Sequence, residues 1–370
     1  MVALYEPIQI GTNRLQHRVV LAPLTRLRAD ENNVMPPDLA TEYYSQRTTP
    51  GGLLISEGIL ISEGAGGFPG TPAIYTEEQI SVWSKVTQAV HAKGGIIFAQ
   101  IWHSGRAGTA LYTKNHTSPI APSPIPARGL NVFSNNQPFE TPRELSIDEI
   151  QDVIQEFVTA AKNAIKAGFD GVELHGANGY LLDQFINSQS NKRTDKYSGS
   201  IKNRTRLIFE VADALIDAIG VERTAYRFSP WGGNADVEDD TPYETWSYIL
   251  EHLNPKLAYV HFVEPRDDYV RATPDFENSL DPFRKIWKGP FISAGGYSTS
   301  PELISSVAEE KPRNLIAVGR AFIANPDLVE RLKHQWPLNK YNRDTFYTPG
   351  AKGYTDYTFY EPKDQKLTTE

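Results

Sequence analysis

Eight short apolar runs, with amphipathic stretches between them, restrict the fold of this chain more than any other feature. They occupy 18–23, 52–57, 95–102, 168–175, 224–230, 257–263, 290–296 and 313–320. Runs this continuously apolar suit parallel strands buried on both faces. The stretches between them carry helical spacing. In the clearest, 146–167, Ile147, Ile150, Ile154, Phe157, Ala161 and Ile165 recur every three or four residues. Ser146 with Glu149 forms a capping-box signature at its start, and Gly168 suits its end. Further helices are predicted near 76–93, 201–219, 243–253, 299–309 and 326–335, with the weakest signal at 279–287. Eight strand–helix units without an intervening linker predict an α/β chain folded as a (β/α)₈ TIM barrel, one domain over 1–370. A doubly wound open sheet would place dinucleotide glycines after its first strand; here that strand leads into Pro23-Leu-Thr-Arg.

One connection is too long for its place. Between the third strand and the 146–167 helix lie about 40 residues, 103–145, with Pro119, Pro122, Pro124, Pro126, Pro138 and Pro142. Loops of that length in compact domains are usually functional, so this Pro-rich segment is expected to be a lid or excursion over the site. The 343–370 tail, rich in tyrosine, is expected to pack on the barrel surface or rim.

Composition excludes several chemistries. The chain has no cysteine, which removes disulfides, thiolate catalysis and cysteine-ligated metals. Its eight histidines form no HxH or HExxH pair, so no metal site is expected. A net charge of −8 argues against nucleic acid or an anionic membrane as partner. No run reaches the ~18 continuous apolar residues of a membrane helix, and no signal-peptide pattern is visible, so the expectation is a cytoplasmic protein. Monomer and homodimer are both left open.

In a barrel of this kind the chemistry collects at the C-terminal strand ends. Here these supply Thr25, Glu57 with Gly58, Gln100 with Trp102, His175, Arg227, Glu264, Gly295 with Gly296, and Gly319 with Arg320. The fourth run breaks at Gly176, and just beyond it lie Asn178 and Tyr180. His175 and Asn178 offer N–H donors to an oxygen that gains charge, and Tyr180 can exchange a proton. The same residues could instead cap the strand, close a turn and pack in the core. Glycines after strands seven and eight, followed by Arg320, suit a phosphate. Gln100 matches an imide edge, Thr25 a carbonyl, and Arg227 an anionic or electron-rich ring. A phosphorylated heteroaromatic such as FMN combines these demands. No lysine ends a strand, which disfavours Schiff-base chemistry. Glu57, Glu173 and Glu264 could furnish a glycosidase pair, but that leaves the glycines and Arg227 unexplained. Glu173 shares a face with His175 and reads equally as a buried, hydrogen-bonded residue.

Five motifs then carry a resemblance: Ala22-Pro-Leu-Thr25-Arg-Leu-Arg28; Gln100-Ile-Trp102-His-Ser-Gly-Arg106; the stretch from Gly168 through His175, Asn178 and Tyr180 to Phe185; Arg193-Thr-Asp-Lys-Tyr-Ser198-Gly-Ser200; and Gly319-Arg320-Ala-Phe-Ile-Ala-Asn-Pro-Asp327. Over nearly its whole length the chain resembles the old yellow enzymes, FMN-dependent ene-reductases, and most of all fungal and plant-like members. The resemblance implies non-covalent FMN contacted by Pro23, Leu24, Thr25, Gly58, Gln100 and Arg227, with Gly295, Gly296, Gly319 and Arg320 at the phosphate. It also implies His175 and Asn178 on the carbonyl oxygen of an enone or enal, Tyr180 as proton donor, and Trp102, Phe346 and Tyr347 around the substrate. NADPH is the implied reductant, in a ping-pong exchange. A flavin-barrel isomerase, or a reductase dedicated to one specialised metabolite, is the alternative. Four positions depart from the family pattern. Ser198 replaces a glycine, Tyr226 and Phe228 flank Arg227 where smaller or aliphatic residues are usual, and Phe68 stands where some relatives have tyrosine.

Overall fold

The computed structural model describes residues 3–268, 273–274 and 277–362. Its centre is a closed barrel of eight parallel strands: β1 (Val19–Leu21), β2 (Leu53–Ile55), β3 (Ile96–Trp102), β4 (Gly171–Gly176), β5 (Thr224–Phe228), β6 (Val260–Val263), β7 (Phe291–Ala294) and β8 (Asn314–Val318). Each strand pairs with the next, and β8 pairs back onto β1 through Ile316–Val19 and Val318–Leu21. The expected (β/α)₈ architecture is therefore the observed one.

Helices follow the strands: α1 (Pro37–Gln46), α2 (Glu77–Ala92), α3 (Ile147–Lys166), α4 (Arg206–Ile219), α5 (Pro242–His252), α6 (Asp281–Ile286), α7 (Glu302–Glu310) and α8 (Leu328–His334). The capping box at α3 forms as its sequence predicts: the Glu149 amide donates to Ser146 Oγ and the Ser146 amide to Glu149 Oε2. The predicted 201–219 helix breaks at Thr205, which separates Ile201–Arg204 from α4. Helix α1 was not anticipated. Its buried Ala40, Tyr43 and Tyr44 do follow helical spacing, but the rest of its sequence is too polar to stand out.

Alternation along the strands divides the core in two. Leu174, Tyr226, Phe228, Phe262, Ile316 and Val318 face outward and bury against the helices. Val20, Leu53, Phe98, Ala225, Tyr259, Ile292 and Leu315 fill the barrel, together with Ile10 and Leu15 from an antiparallel hairpin (Ile8–Ile10 with Asn13–Leu15). That hairpin closes the N-terminal mouth, so the open end is the C-terminal one.

The 103–145 segment contains short turns and an antiparallel pair, Leu130–Asn131 with Gln137–Pro138. It is tied down by buried cations. Arg106 donates to the carbonyls of Ile125, Ala235 and Asp236, and Arg193 to those of Pro122 and Leu145. In the described part of the tail, Tyr354 is buried and stacks on Tyr43 of α1 at 4.1 Å. The part of the tail assigned to 363–370 lies outside the described residues.

Candidate active site

Above the apolar filling, the barrel wall is asymmetric. Strands β7, β8 and β1 place alanines inside, Ala294, Ala317 and Ala22. Strands β3 to β6 place Gln100, Glu173, His175, Arg227 and His261 there, with Gln100 opposite Glu173 and His175, Arg227 and His261 in register. Small side chains on one side and hydrogen-bonding ones on the other leave a slot for a flat polar ring. Glu173 is fully buried. Gln100 Nε2 donates to its Oε1 at 2.7 Å, and His261 Nδ1 lies 2.9 Å from its Oε2. Burial opposes the charge of Glu173, but His261, Arg227 and Gln100 outweigh it and hold the carboxyl below its usual range. His261 itself is pushed down, by burial first, against the pull of Glu173 and with the help of Arg227. At neutral pH His261 is thus neutral, and Glu173 is kept ionised by hydrogen bonds and by Arg227.

The motif after β4 forms a tight reversal. A Cβ on Gly176 would meet Tyr226 Cε1 at 2.7 Å, and one on Gly179 would meet the Asn234 carbonyl oxygen at 2.0 Å. Asn178 (φ 57°) and Gly179 (φ 75°) are both left-handed, a conformation asparagine and glycine tolerate. The Asn178 amide donates to Ser229 Oγ at 2.7 Å, and Asn234 Nδ2 donates to the Asn178 carbonyl at 2.8 Å. The turn fixes Asn178 and returns the chain to Tyr180. The Tyr180 ring meets Trp102 edge-on at 4.7 Å and His175 at 4.9 Å. Burial, and then the neighbouring Tyr347, push the Tyr180 hydroxyl up against the opposing effect of Arg227, so it keeps its proton at neutral pH. His175 is driven well below the ordinary histidine range by burial, Arg227 and His261. It is a neutral imidazole, and its buried Nδ1 has no hydrogen-bond partner among the described residues.

A cavity of about 180 Å³ extends from Arg227 past Pro23, Leu24, Ala294 and Ala317 to Gly295, Gly296, Gly319 and Arg320. Gly295 (φ 126°) and Gly296 (φ 86°) hold consecutive conformations that other residues rarely adopt. Arg320 leans on the ring of Tyr341, 5.6 Å away, and its Nη1 donates to the Tyr341 hydroxyl at 3.5 Å. Thr25 is exposed, and Gly58 lies where a Cβ would come within 3.6 Å of Gln100 Oε1 and Trp102. The expected phosphate residues and Arg227 therefore line one cavity, and His175, Tyr180 and Trp102 form one cluster. Alanine walls, a glycine pair and a buried, unpartnered imidazole nitrogen fit a flat cofactor with an anionic tail.

The remaining expectations resolve individually. Phe346 is buried and packs 5.7 Å from Tyr341, whereas Tyr347 is 54% exposed and sits beside Phe133 on the rim. Phe68 is inside, edge-on to Trp102 and stacked on Phe133 at 3.8 Å. Tyr226 and Phe228 stack on each other on the outer face of the barrel, at 4.7 Å, rather than crowding Arg227 within it. Ser198 Oγ donates to the Asn191 carbonyl, so this departure adds a turn contact. The three carboxylates considered as a hydrolytic pair are each engaged: Glu173 as above, Glu264 with Arg284 at 2.6 Å, Glu57 with the Arg26 amide. Among the described residues no cluster of metal ligands occurs and no helix is long and apolar enough to cross a membrane. Sequence reasoning missed Ser229, Asn234 and Phe133. The Ser229-Pro step marked only a strand end, and nothing in the sequence placed Phe133 over Phe68.

The profile of the NADH:flavin oxidoreductase / NADH oxidase family matches residues 3–339. The chain belongs to that family. Its similarity to members of this flavin oxidoreductase family extends over whole chains. It is 43% identical to the flavin oxidoreductase hxnT of Emericella nidulans, covering 96% of this chain and 97% of that one. It is 44% identical to 12-oxophytodienoate reductase 1 of Oryza sativa subsp. japonica, covering 100% and 96%. Among solved structures, morphinone reductase superposes with a TM-score of 0.90 at 39% identity, covering 98% of each chain. An old yellow enzyme homologue from Zymomonas mobilis gives 0.90 at 38%, covering 96% and 99%. The resemblance to the old yellow enzymes is borne out, and this is an FMN oxidoreductase of that family.

Proposed function

We propose that this oxidoreductase is an ene-reductase, taking hydride from NADPH and reducing the C=C bond of α,β-unsaturated carbonyl compounds in a ping-pong exchange. The observation that carries the reading is the cluster of a neutral His175 and a protonated Tyr180 against Trp102, with His175 in register with Arg227 of the cavity wall and Asn178 held in the turn that joins His175 to Tyr180. Bound FMN supplies the chemistry of hydride acceptance from the nicotinamide and hydride donation to the β-carbon. Thr25, Gln100, Gly58 and Arg227 would hold its ring, and Gly295, Gly296, Gly319 and Arg320 its phosphate.

The chain's own contribution is polarisation and protonation. His175 and Asn178 donate to the substrate carbonyl oxygen. Negative charge grows on that oxygen as the β-carbon is reduced, so both hydrogen bonds are stronger in the transition state than in the ground state. A neutral imidazole donates without being consumed as an acid. Tyr180 then delivers its proton to the α-carbon. Trp102 and Phe346 would bound the substrate, with Tyr347 at the rim, and the 103–145 segment would act as a lid through Phe133. Relatives named as reductases of 12-oxophytodienoate and morphinone support an oxo-compound substrate. The proton donor at Tyr180 favours net reduction over isomerisation.

The test is direct. Purified protein is mixed with NADPH and 2-cyclohexen-1-one, then with NADH in a parallel assay, and the product is identified. NADPH-dependent formation of cyclohexanone is expected. Reduction of the carbonyl to the allylic alcohol, or faster turnover with NADH, would overturn the corresponding part of the proposal.

A further inference from the structure

Below the cavity lies a buried charge that the proposed mechanism does not use. Glu173 is fully buried and spends both oxygens inside the barrel, Oε1 on Gln100 Nε2 at 2.7 Å and Oε2 on His261 Nδ1 at 2.9 Å. We propose that Glu173 is a positioning residue, fixing which end of the Gln100 amide faces the flavin and moderating the Arg227 charge felt there. This rests on the flavin-site reading above.

An ionised carboxylate only accepts, so the Gln100 end that meets it must be the NH₂. The Gln100 carbonyl is then turned toward Gly58, where a Cβ would lie 3.6 Å from Oε1. The ring slot is thereby offered an acceptor, which suits the N–H of an imide edge. A neutral residue at 173 removes this constraint, because an amide there could accept or donate and Gln100 could turn over. His261 completes the lock from β6: its Nδ1–H donates to Glu173, and its buried Nε2 has no partner among the described residues. Arg227, in register between His175 and His261, is the cation of that cavity nearest this network. The negative charge of Glu173 offsets part of its field. Without that offset, negative charge on a bound ring is favoured more strongly.

The experiment compares parent, Glu173→Gln and Glu173→Asp holoproteins in two readouts, FMN release on dilution and the midpoint potential of the bound flavin. Glu173→Gln is expected to weaken oxidised FMN about tenfold, the equivalent of one buried hydrogen bond. Its potential is expected to move positive, by about 30 mV for each tenfold change in the ratio of oxidised to reduced affinity. Glu173→Asp keeps the charge but withdraws it from Gln100, so it should release FMN faster at the parent's potential. If Glu173→Gln fails to fold, the aspartate variant carries the test alone: parent-like release, or a shifted potential, overturns the proposal. Parent-like FMN release in Glu173→Gln overturns the role in orienting Gln100, and a parent-like potential overturns the role in moderating Arg227. A parent protein that holds no FMN would instead refute the flavin-site reading.

Discussion

Arg28 offers the sharpest test of how the segment proposed to bound the substrate is held. It is buried, and its guanidinium donates to the carbonyls of Arg26 (2.6 Å), Phe346 (2.7 Å), Thr345 (3.0 Å), Lys352 (3.2 Å) and Gly350 (3.4 Å). Four of these five acceptors lie on the strap that carries Phe346 and Tyr347. Burial, and next the neighbouring Arg26, bring its pKa down to about 10, so the group is still charged at neutral pH. Lysine in its place keeps the charge but offers three donors from a single nitrogen. At least two hydrogen bonds to the charged group are lost, and at about 1.5 kcal/mol each the strap is loosened by about 3 kcal/mol. Since each 1.4 kcal/mol is tenfold, local opening should become about a hundred times more frequent. The assay is amide hydrogen exchange. In Arg28→Lys, the amides of Thr345, Phe346 and Tyr354, bonded to Asn342, Arg343 and Ala351 carbonyls, should exchange about a hundredfold faster, while those of β3 and β4 stay protected. Unchanged exchange at these three positions would refute the idea that Arg28 holds the strap.

Two further outcomes follow from the charges of the site and core. Tyr180→Phe should leave flavin reduction by NADPH near the parent rate and slow enone reduction by about a hundredfold or more; equal second half-reactions in stopped flow would remove Tyr180 as the proton donor. Glu57 is buried, and desolvation, opposed by Arg26 and Arg28, pushes its pKa from 4.5 to about 7. A carboxyl raised on folding stabilises the fold fully below its unfolded pKa and loses that contribution as pH climbs from 4.5 to about 7, so the parent should weaken over that interval. Glu57→Gln should flatten that decline by about 3 kcal/mol, judged from ~1.4 kcal/mol per pH unit, and parallel denaturant profiles for the two proteins would contradict the assignment.

The barrel was legible because period and length agree: short, doubly apolar runs such as 290–296 have few uses except as buried parallel strands. The capping box of α3 could be read for the same reason, being local and made by Ser146 and Glu149 alone. Helix α1 was not, since only Ala40, Tyr43 and Tyr44 are fully buried and its other positions, most of them polar, are half-buried or exposed. Within the site, residues on strand ends were found by position, as with Gln100 and Arg227. Contacts between distant loops were not. Ser229 and Asn234 become part of the site only because the turn at Asn178 approaches the segment after β5. Tyr226 and Phe228 illustrate the converse: their size was conspicuous in sequence, yet strand alternation turns both away from the cavity.

His175 and Asn178 are proposed to form an oxyanion-binding pair beside a flavin. An absorbance spectrum of the purified protein, followed by titration with a simple phenol, tests it most directly. A flavin band is expected, with a new long-wavelength charge-transfer band as phenolate settles on the two donors, and that band should be lost in the His175→Ala, Asn178→Ala double variant. A flavin band that no phenol perturbs, or a perturbation that survives the double variant, would contradict it.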